Sequence, residues 1–191
     1  MKNSIFPALA LLSACSSGPV PPEWQSNSRS ALDSFQQRYL RGDTAGADAE
    51  FARAKSELSS TGNASMVARA ELLRCAVRAA SLEFDNCPGF ENLRADAGVE
   101  ELAYAEFLTG KSERKVSDDP LSRLVSHGVK LNSGRASPEN ISAAIEISSS
   151  QGWRRPLLAW LGVEEKRAES AGDRAALERI RRRIALASGK S

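Results

Sequence analysis

Few residues in this chain could do covalent chemistry. There is one histidine, His127, and there are three cysteines, Cys15, Cys75 and Cys87. An imidazole can act as a general base when a nucleophile stands beside it. Around His127 there is no nucleophile elbow, no HExxH and no neighbouring cysteine, so the motifs that carry such chemistry are missing. A Ser/His/Asp triad would need this one histidine. Beside Leu124 and Leu131 it reads as a partly exposed helix residue. A glutamate in an apolar pocket can serve as the acid in glycan cleavage. Glu71, Glu83 and Glu106 are the candidates, and surface positions on helices account for them equally well. The glycines stand singly, as caps and turns, so no phosphate loop is expected. The cysteine spacing fits no zinc pattern. The expectation is a chain with no catalytic residue, no cofactor and no bound metal.

Residues suited to binding are easier to find. The segment 174–191 carries six cations (Arg174, Arg179, Arg181, Arg182, Arg183 and Lys190) against one acid, Glu178. Such a helix can meet anionic lipid, an acidic partner or wall carboxylates. Otherwise it is a solvated face whose cations suit a helix C-terminus. Trp153, followed by Arg154 and Arg155, has the residue types of an interface hot spot, although its spacing to Leu157 and Trp160 also fits a core. Phe84 and Phe90 flank Asn86-Cys87-Pro88-Gly89 and are candidates for a rigid contact loop. The net charge of the whole chain is only +2, so nucleic acid is not the expected partner.

Helices must position these groups. Trp24, Ser28, Ala31, Leu32, Phe35 and Tyr39 recur at three-to-four spacing and predict a helix over 24–40. Gly42-Asp43 breaks and restarts the chain. Ala47, Phe51, Ala54 and Leu58 mark the next helix, closed by Thr61-Gly62-Asn63. A third stripe runs from Met66 through Leu73 and Val77 to Phe84, and Pro88-Gly89 ends that region. Leu93 begins a weaker helix, and another spans 99–108. Residues 111–119 read as a loop. Asp119-Pro120 and Ser137-Pro138 each supply an N-cap and a first helical residue. Gly152 and Gly172-Asp173 punctuate the last helices. No strand pattern occurs. The predicted fold is all-α, with about eight helices in antiparallel hairpins, as a repeat array or a compact bundle. At 191 residues one domain is expected.

The N-terminus has the layout of a secretory signal. Lys2 supplies a positive charge, residues 5–12 are an apolar run, and Leu12-Ser13-Ala14-Cys15 follows. The run is too short to span a membrane. Those last four residues resemble the bacterial lipobox. The resemblance implies cleavage before Cys15, diacylglyceryl modification of its sulfur and acylation of the new N-terminus. Three acyl chains would anchor firmly, since two already hold stably. The organisation expected is a signal peptide over 1–14, a lipidated tether over 15–23, and one periplasmic domain over 24–191. Ser16, in place of an aspartate, points to the outer membrane by resemblance to enterobacterial sorting. With Cys15 lipidated, Cys75 and Cys87 remain as a disulfide pair. Closure requires the chain to double back at Asp85-Asn86. The other outcome is a buried free Cys75 beside an exposed Cys87.

The first hairpin resembles a tetratricopeptide repeat. Gly42-Asp43 sits at the inter-helix turn, and Ala47, Phe51 and Ala54 follow in a small–aromatic–small order. Ala31 and Phe35 exchange the family's aromatic and small positions. Gly172-Asp173, Leu177 and Ile184 repeat part of the pattern, with Arg181 where an aromatic would stand. Members of that family bind peptides or partner proteins in a concave groove. The resemblance therefore implies a membrane-anchored scaffold for protein interaction or assembly in the cell envelope. A cell-wall hydrolase using a glutamate and a small-ligand or inhibitor module are the alternatives. Cys15→Ala is expected to release the protein from membranes, read by fractionation of envelopes; unchanged membrane retention would refute the anchor.

Overall fold

A computed structural model describes residues 21–114 and 116–189. The expected signal peptide, Cys15 and most of the expected tether lie outside the described residues. Described residues form nine α-helices and one 3-10 turn, with no strand. The fold is all-α.

Helix α1 (Glu23–Arg41) and α2 (Thr44–Ser59) form the first hairpin. Its turn shows why Gly-Asp works as punctuation. Gly42 takes the left-handed conformation, φ +95°, which costs a glycine little. Asp43 then caps α2 by accepting the Gly46 N–H at 2.9 Å, and Arg38 donates to its other oxygen at 2.7 Å. The same device joins α8 (Arg154–Ala171) to α9 (Arg174–Ser188): Gly172 is left-handed at φ +68° and Asp173 accepts from the Ala176 N–H. Between the hairpins, α6 (Pro120–Asn132) begins at the Asp119 cap. Helix α7 (Pro138–Ser150) begins with a reciprocal Ser137–Asn140 capping box.

The expected third helix is shorter than its apolar stripe. Helix α3 covers Ala64–Ala80 and stops before Phe84. The Glu83 N–H turns back to the Arg78 carbonyl, with Leu82 at φ +61° between them. The apolar residues beyond Ala80 are therefore on a reversal, not on another helical turn. Pro88-Gly89 is also reassigned: Pro88 opens a short helix, α4 (Pro88–Glu91), instead of ending one. The weaker helix expected from Leu93 is only a 3-10 turn, Arg94–Asp96. Helix α5 (Val99–Leu108) has the predicted bounds. Cys75 and Cys87 are disulfide-bonded, with Cα atoms 5.8 Å apart. The early end of α3 is what makes that closure geometrically easy.

Two apolar clusters form the core, and α3 feeds both. Val67, Ala70 and Val77 face a cluster with Phe35, Leu40, Phe51 and Leu58. Ala68, Leu72, Ala76 and Ala80 face the other, with Phe90, Leu124, Ile141, Trp160 and Leu161. The small–aromatic–small order packs as the repeat resemblance implies: Ala47 and Ala54 are fully buried, and the Phe51 ring lies 5.0 Å from that of Phe35. The chain does not continue as an open array, however. The start of α8 packs against α1, and the Trp160 indole donates to the Ala80 carbonyl at 3.1 Å. Of the two expected arrangements, the described residues form the compact bundle.

Helix α6 crosses α3 at very short range. A Cβ at Gly128 would collide with the backbone carbonyl of Ala79. Backbone cannot move aside as a flexible side chain can, and overpacking of this kind costs about 2 kcal/mol. Gly128→Ala is expected to lower the unfolding free energy by about that much, read by urea denaturation. An unchanged midpoint would mean that the two helices can separate freely.

Candidate functional site

The three candidate glutamates lie in three different settings. Glu71, on α3, is buried, and its carboxylate is 2.6 Å from the Lys55 ammonium on α2. Its oxygens press on Gly89, where a Cβ would overlap them. This acid is a packed ion-pair partner. Glu83 stands at the α3 reversal between Arg155, at 3.2 Å, and Arg78, at 3.9 Å. Glu106 lies on α5 at a surface hollow that Arg94 and Lys111 also line.

His127 is half-buried on α6, and its Nδ1 has no hydrogen-bond partner. Burial lowers its pKa below the ordinary 6.5, and Lys130 and Arg123 lower it further. A neutral imidazole is thus the form that the fold favours. Asp85 sits beside the two disulfide sulfurs. Its carboxylate accepts the Cys87 N–H at 2.9 Å and pairs with Arg78 at 3.2 Å. With both sulfurs joined to each other, that trio offers no thiolate to an ion.

Two of the expected contact residues are placed differently from the sequence reading. Phe90 is fully buried in the larger cluster, with the Arg94 guanidinium 5.1 Å from its ring centre. The disulfide and α4 fold the ring inward, so Phe90 is a core residue and not a surface contact. Trp153 precedes α8, is half-buried, and packs against both clusters. It belongs to the seam between them. Phe84 is the surface aromatic of the loop, 39% exposed. It lines a cleft of about 400 Å3 with Cys87, Lys111 and Asn132.

Arg155 sets the geometry of that seam. Its guanidinium donates to the Tyr39 carbonyl at 2.7 Å, to Thr44 Oγ1 at 2.5 Å and to Glu83 at 3.2 Å. It also stacks 4.2 Å from the Tyr39 ring centre. One side chain therefore holds the end of α1, the start of α2, the α3 reversal and the start of α8. Burial, together with the neighbouring Glu83, raises the Tyr39 phenol well above its ordinary value, so the hydroxyl stays neutral. The sequence marked this stretch only as a possible binding edge. The informative signal was an Arg-Pro step, Arg155-Pro156, at the first turn of a helix, but nothing local named its distant acceptors.

Arg179, Arg181, Arg182 and Arg183 of α9 do not act together. Arg181 is committed to the fold, with Glu165 at 2.7 Å and Glu169 at 2.8 Å on α8. Arg182 faces Glu178 at 4.0 Å on its own helix. Arg179 and Arg183 instead line a groove of about 590 Å3 between α7 and α9. Ile145 and Ile180, both buried in the larger cluster, form its floor, and Glu146 and Glu164 its acidic side. Sequence reading found the cations but not the α7 wall opposite them. Cys15 lies outside the described residues. Among those residues no helix is long and apolar enough to cross a membrane.

Compared with protein-family models, with curated proteins and with solved structures, the chain has no significant match.

Two outcomes follow from the seam and the histidine. Arg155→Ala removes three hydrogen bonds and a stacked cation, and is expected to cost about 3 kcal/mol. Arg155→Lys should recover less than half of this, because an ammonium cannot fork among these acceptors; full recovery in urea titrations would refute the clamp. A lowered folded pKa means that the unfolded chain takes up the His127 proton first. Stability from the neutral imidazole is thus present above about pH 6.5 and is lost as pH falls toward the lower folded pKa. His127→Asn should flatten the stability profile in that window, measured by thermal melts, and leave the carboxylate-driven loss at lower pH in place.

Proposed function

We propose that this chain is a lipid-anchored scaffold that recruits a partner protein at the cell envelope. The observation that carries the reading is the open groove between α7 and α9. It is walled by two exposed arginines that have no acid within ion-pair distance among the described residues, above a floor of Ile145 and Ile180 that is buried in the core. Arginine is enriched at protein interfaces, where it supplies planar, bidentate contacts to carboxylates. The lipobox-like Leu12-Ser13-Ala14-Cys15 would fix that surface to a membrane, and outer-membrane attachment facing the periplasm is the location proposed. The hydrolase alternative is weaker. Glu71 and Glu83 are each engaged by a cation of the fold, Lys55 and Arg155.

Affinity purification of the full-length chain from detergent-solubilised envelopes, after mild cross-linking, tests the proposal. One dominant envelope protein in near-stoichiometric amount is the expected result, and Cys15→Ala should reduce its recovery. Absence of any enriched protein would overturn the scaffold reading and direct attention to peptidoglycan binding.

A further inference from the structure

The stretch 82–87, between α3 and α4, is a strap under constraint. It holds no helix, and Phe84, Asp85 and Asn86 are exposed. Leu82 at φ +61° and Cys87 at φ +47° are left-handed, and no other non-glycine residue among those described is. An L-residue with a side chain is crowded there, because its Cβ approaches the following carbonyl oxygen. Such a conformation persists only where the surroundings over-determine it.

Few ties do so here. Backbone donors reach the body only at the start of the strap, from Leu82 to the Ala79 carbonyl and from Glu83 to the Arg78 carbonyl. The Cys87 N–H is used within the strap, on Asp85. Glu83 pairs with Arg155 and Asp85 with Arg78, each at 3.2 Å. These pairs are partly exposed, and pairs of that kind hold weakly. The remaining tie is the covalent one, Cys75 to Cys87. Beyond it, Phe90 is fully buried and anchors α4 without help from the strap.

Both cysteines line the open cleft of about 400 Å3. Cys75 is 9% exposed and Cys87 is half-buried, so Cys87 is the more open sulfur. We propose that the Cys75–Cys87 bond is a redox latch: a dithiol reductant cleaves it, and the strap at 82–87 opens while the rest of the bundle stays folded. One thiolate of the reductant attacks the Cys87 sulfur. A mixed disulfide forms, and Cys75 leaves as a thiolate and takes a proton. The reductant's second thiolate then attacks the reductant sulfur of the mixed disulfide. Its own disulfide closes, and Cys87 is released and protonated. The dithiol loses two electrons and two protons, and the protein gains both.

Opening removes one side of the cleft, Glu83 to Cys87, from beside Ala79 and Leu108. Arg155 gives up its carboxylate but keeps the Tyr39 carbonyl and Thr44, so α8 remains on α1. The strap thus opens as a local unit, bounded by the end of α3 and by buried Phe90.

The test uses the full-length protein in detergent, treated with dithiothreitol at neutral pH without denaturant. Alkylation of Cys75 and Cys87 is read by peptide mapping. Chymotrypsin cleavage after Phe84 is timed in oxidised and reduced samples, and both are melted. The expected result is full alkylation of the two cysteines and at least tenfold faster cleavage after Phe84. Cleavage at other aromatic residues should be unchanged, and the thermal transition should remain cooperative. Oxidised glutathione should restore resistance. Cys75→Ala with Cys87→Ala should be cut at the reduced rate whether or not dithiothreitol is present. A disulfide that resists reduction until urea is added would overturn the latch. So would a reduced protein as resistant after Phe84 as the oxidised one. Loss of the thermal transition on reduction, or cleavage throughout the bundle, would also overturn it, because the bond would then be a staple of the whole fold.

Discussion

Helix α3 is buried on nearly every side, and much of the molecule is arranged to make that tolerable. One face feeds the cluster around Phe35 and Phe51, and the opposite face feeds the cluster around Phe90 and Trp160. A helix enclosed in this way cannot keep an unpaired charge. Glu71 is accordingly met by Lys55 and fits against a glycine at position 89. It cannot keep bulk everywhere either. The stretch from Ala68 to Ala80 is rich in alanine, and α6 approaches it through Gly128. The disulfide from Cys75 then ties the returning chain to the same helix.

Because α3 separates two apolar clusters, the molecule needs connections across it. Trp153 contributes apolar surface to both clusters, and Arg155 contributes the polar link. The guanidinium is suited to this position for a physical reason. Its five donors lie in one plane, so a single side chain can serve a carbonyl, a hydroxyl and a carboxylate while its face stacks on a ring. Closing α8 onto α1 through this seam turns a string of hairpins into a bundle. It also fixes the base of α8, on whose flanks α7 and α9 stand. The groove that carries the proposed function thus stands on a helix, at Glu164, whose start is held by this seam.

The distribution of ion pairs on α9 separates structural from available charge. Arg181 reaches two glutamates of α8 and secures the terminal hairpin. Its exposed pairs contribute little energy individually, yet they set which arginines remain uncommitted. A run such as Arg181-Arg182-Arg183 looks uniform in one dimension. On a helix its members point about 100° apart, so each meets a different environment.

Sequence alone determined the local units. Helix starts at Asp43, Asp119, Ser137 and Asp173 were legible because a cap is made within three residues of itself. Apolar stripes gave the buried faces for the same reason: helical period is a local property. The cysteine pair was legible once Cys15 was set aside. Tertiary structure decided what depends on residues far apart in the chain. The end of α3 at Ala80, the inward turn of Phe90, the 116-residue reach from Arg155 to the Tyr39 carbonyl and the pairing of α7 with α9 as groove walls are of this kind. Periodicity shows that a face is apolar but does not name its partner, and charge composition does not show which cations are already neutralised. Those facts come into being only when the helices pack, because burial and ion pairing are properties of neighbours in space and not in sequence.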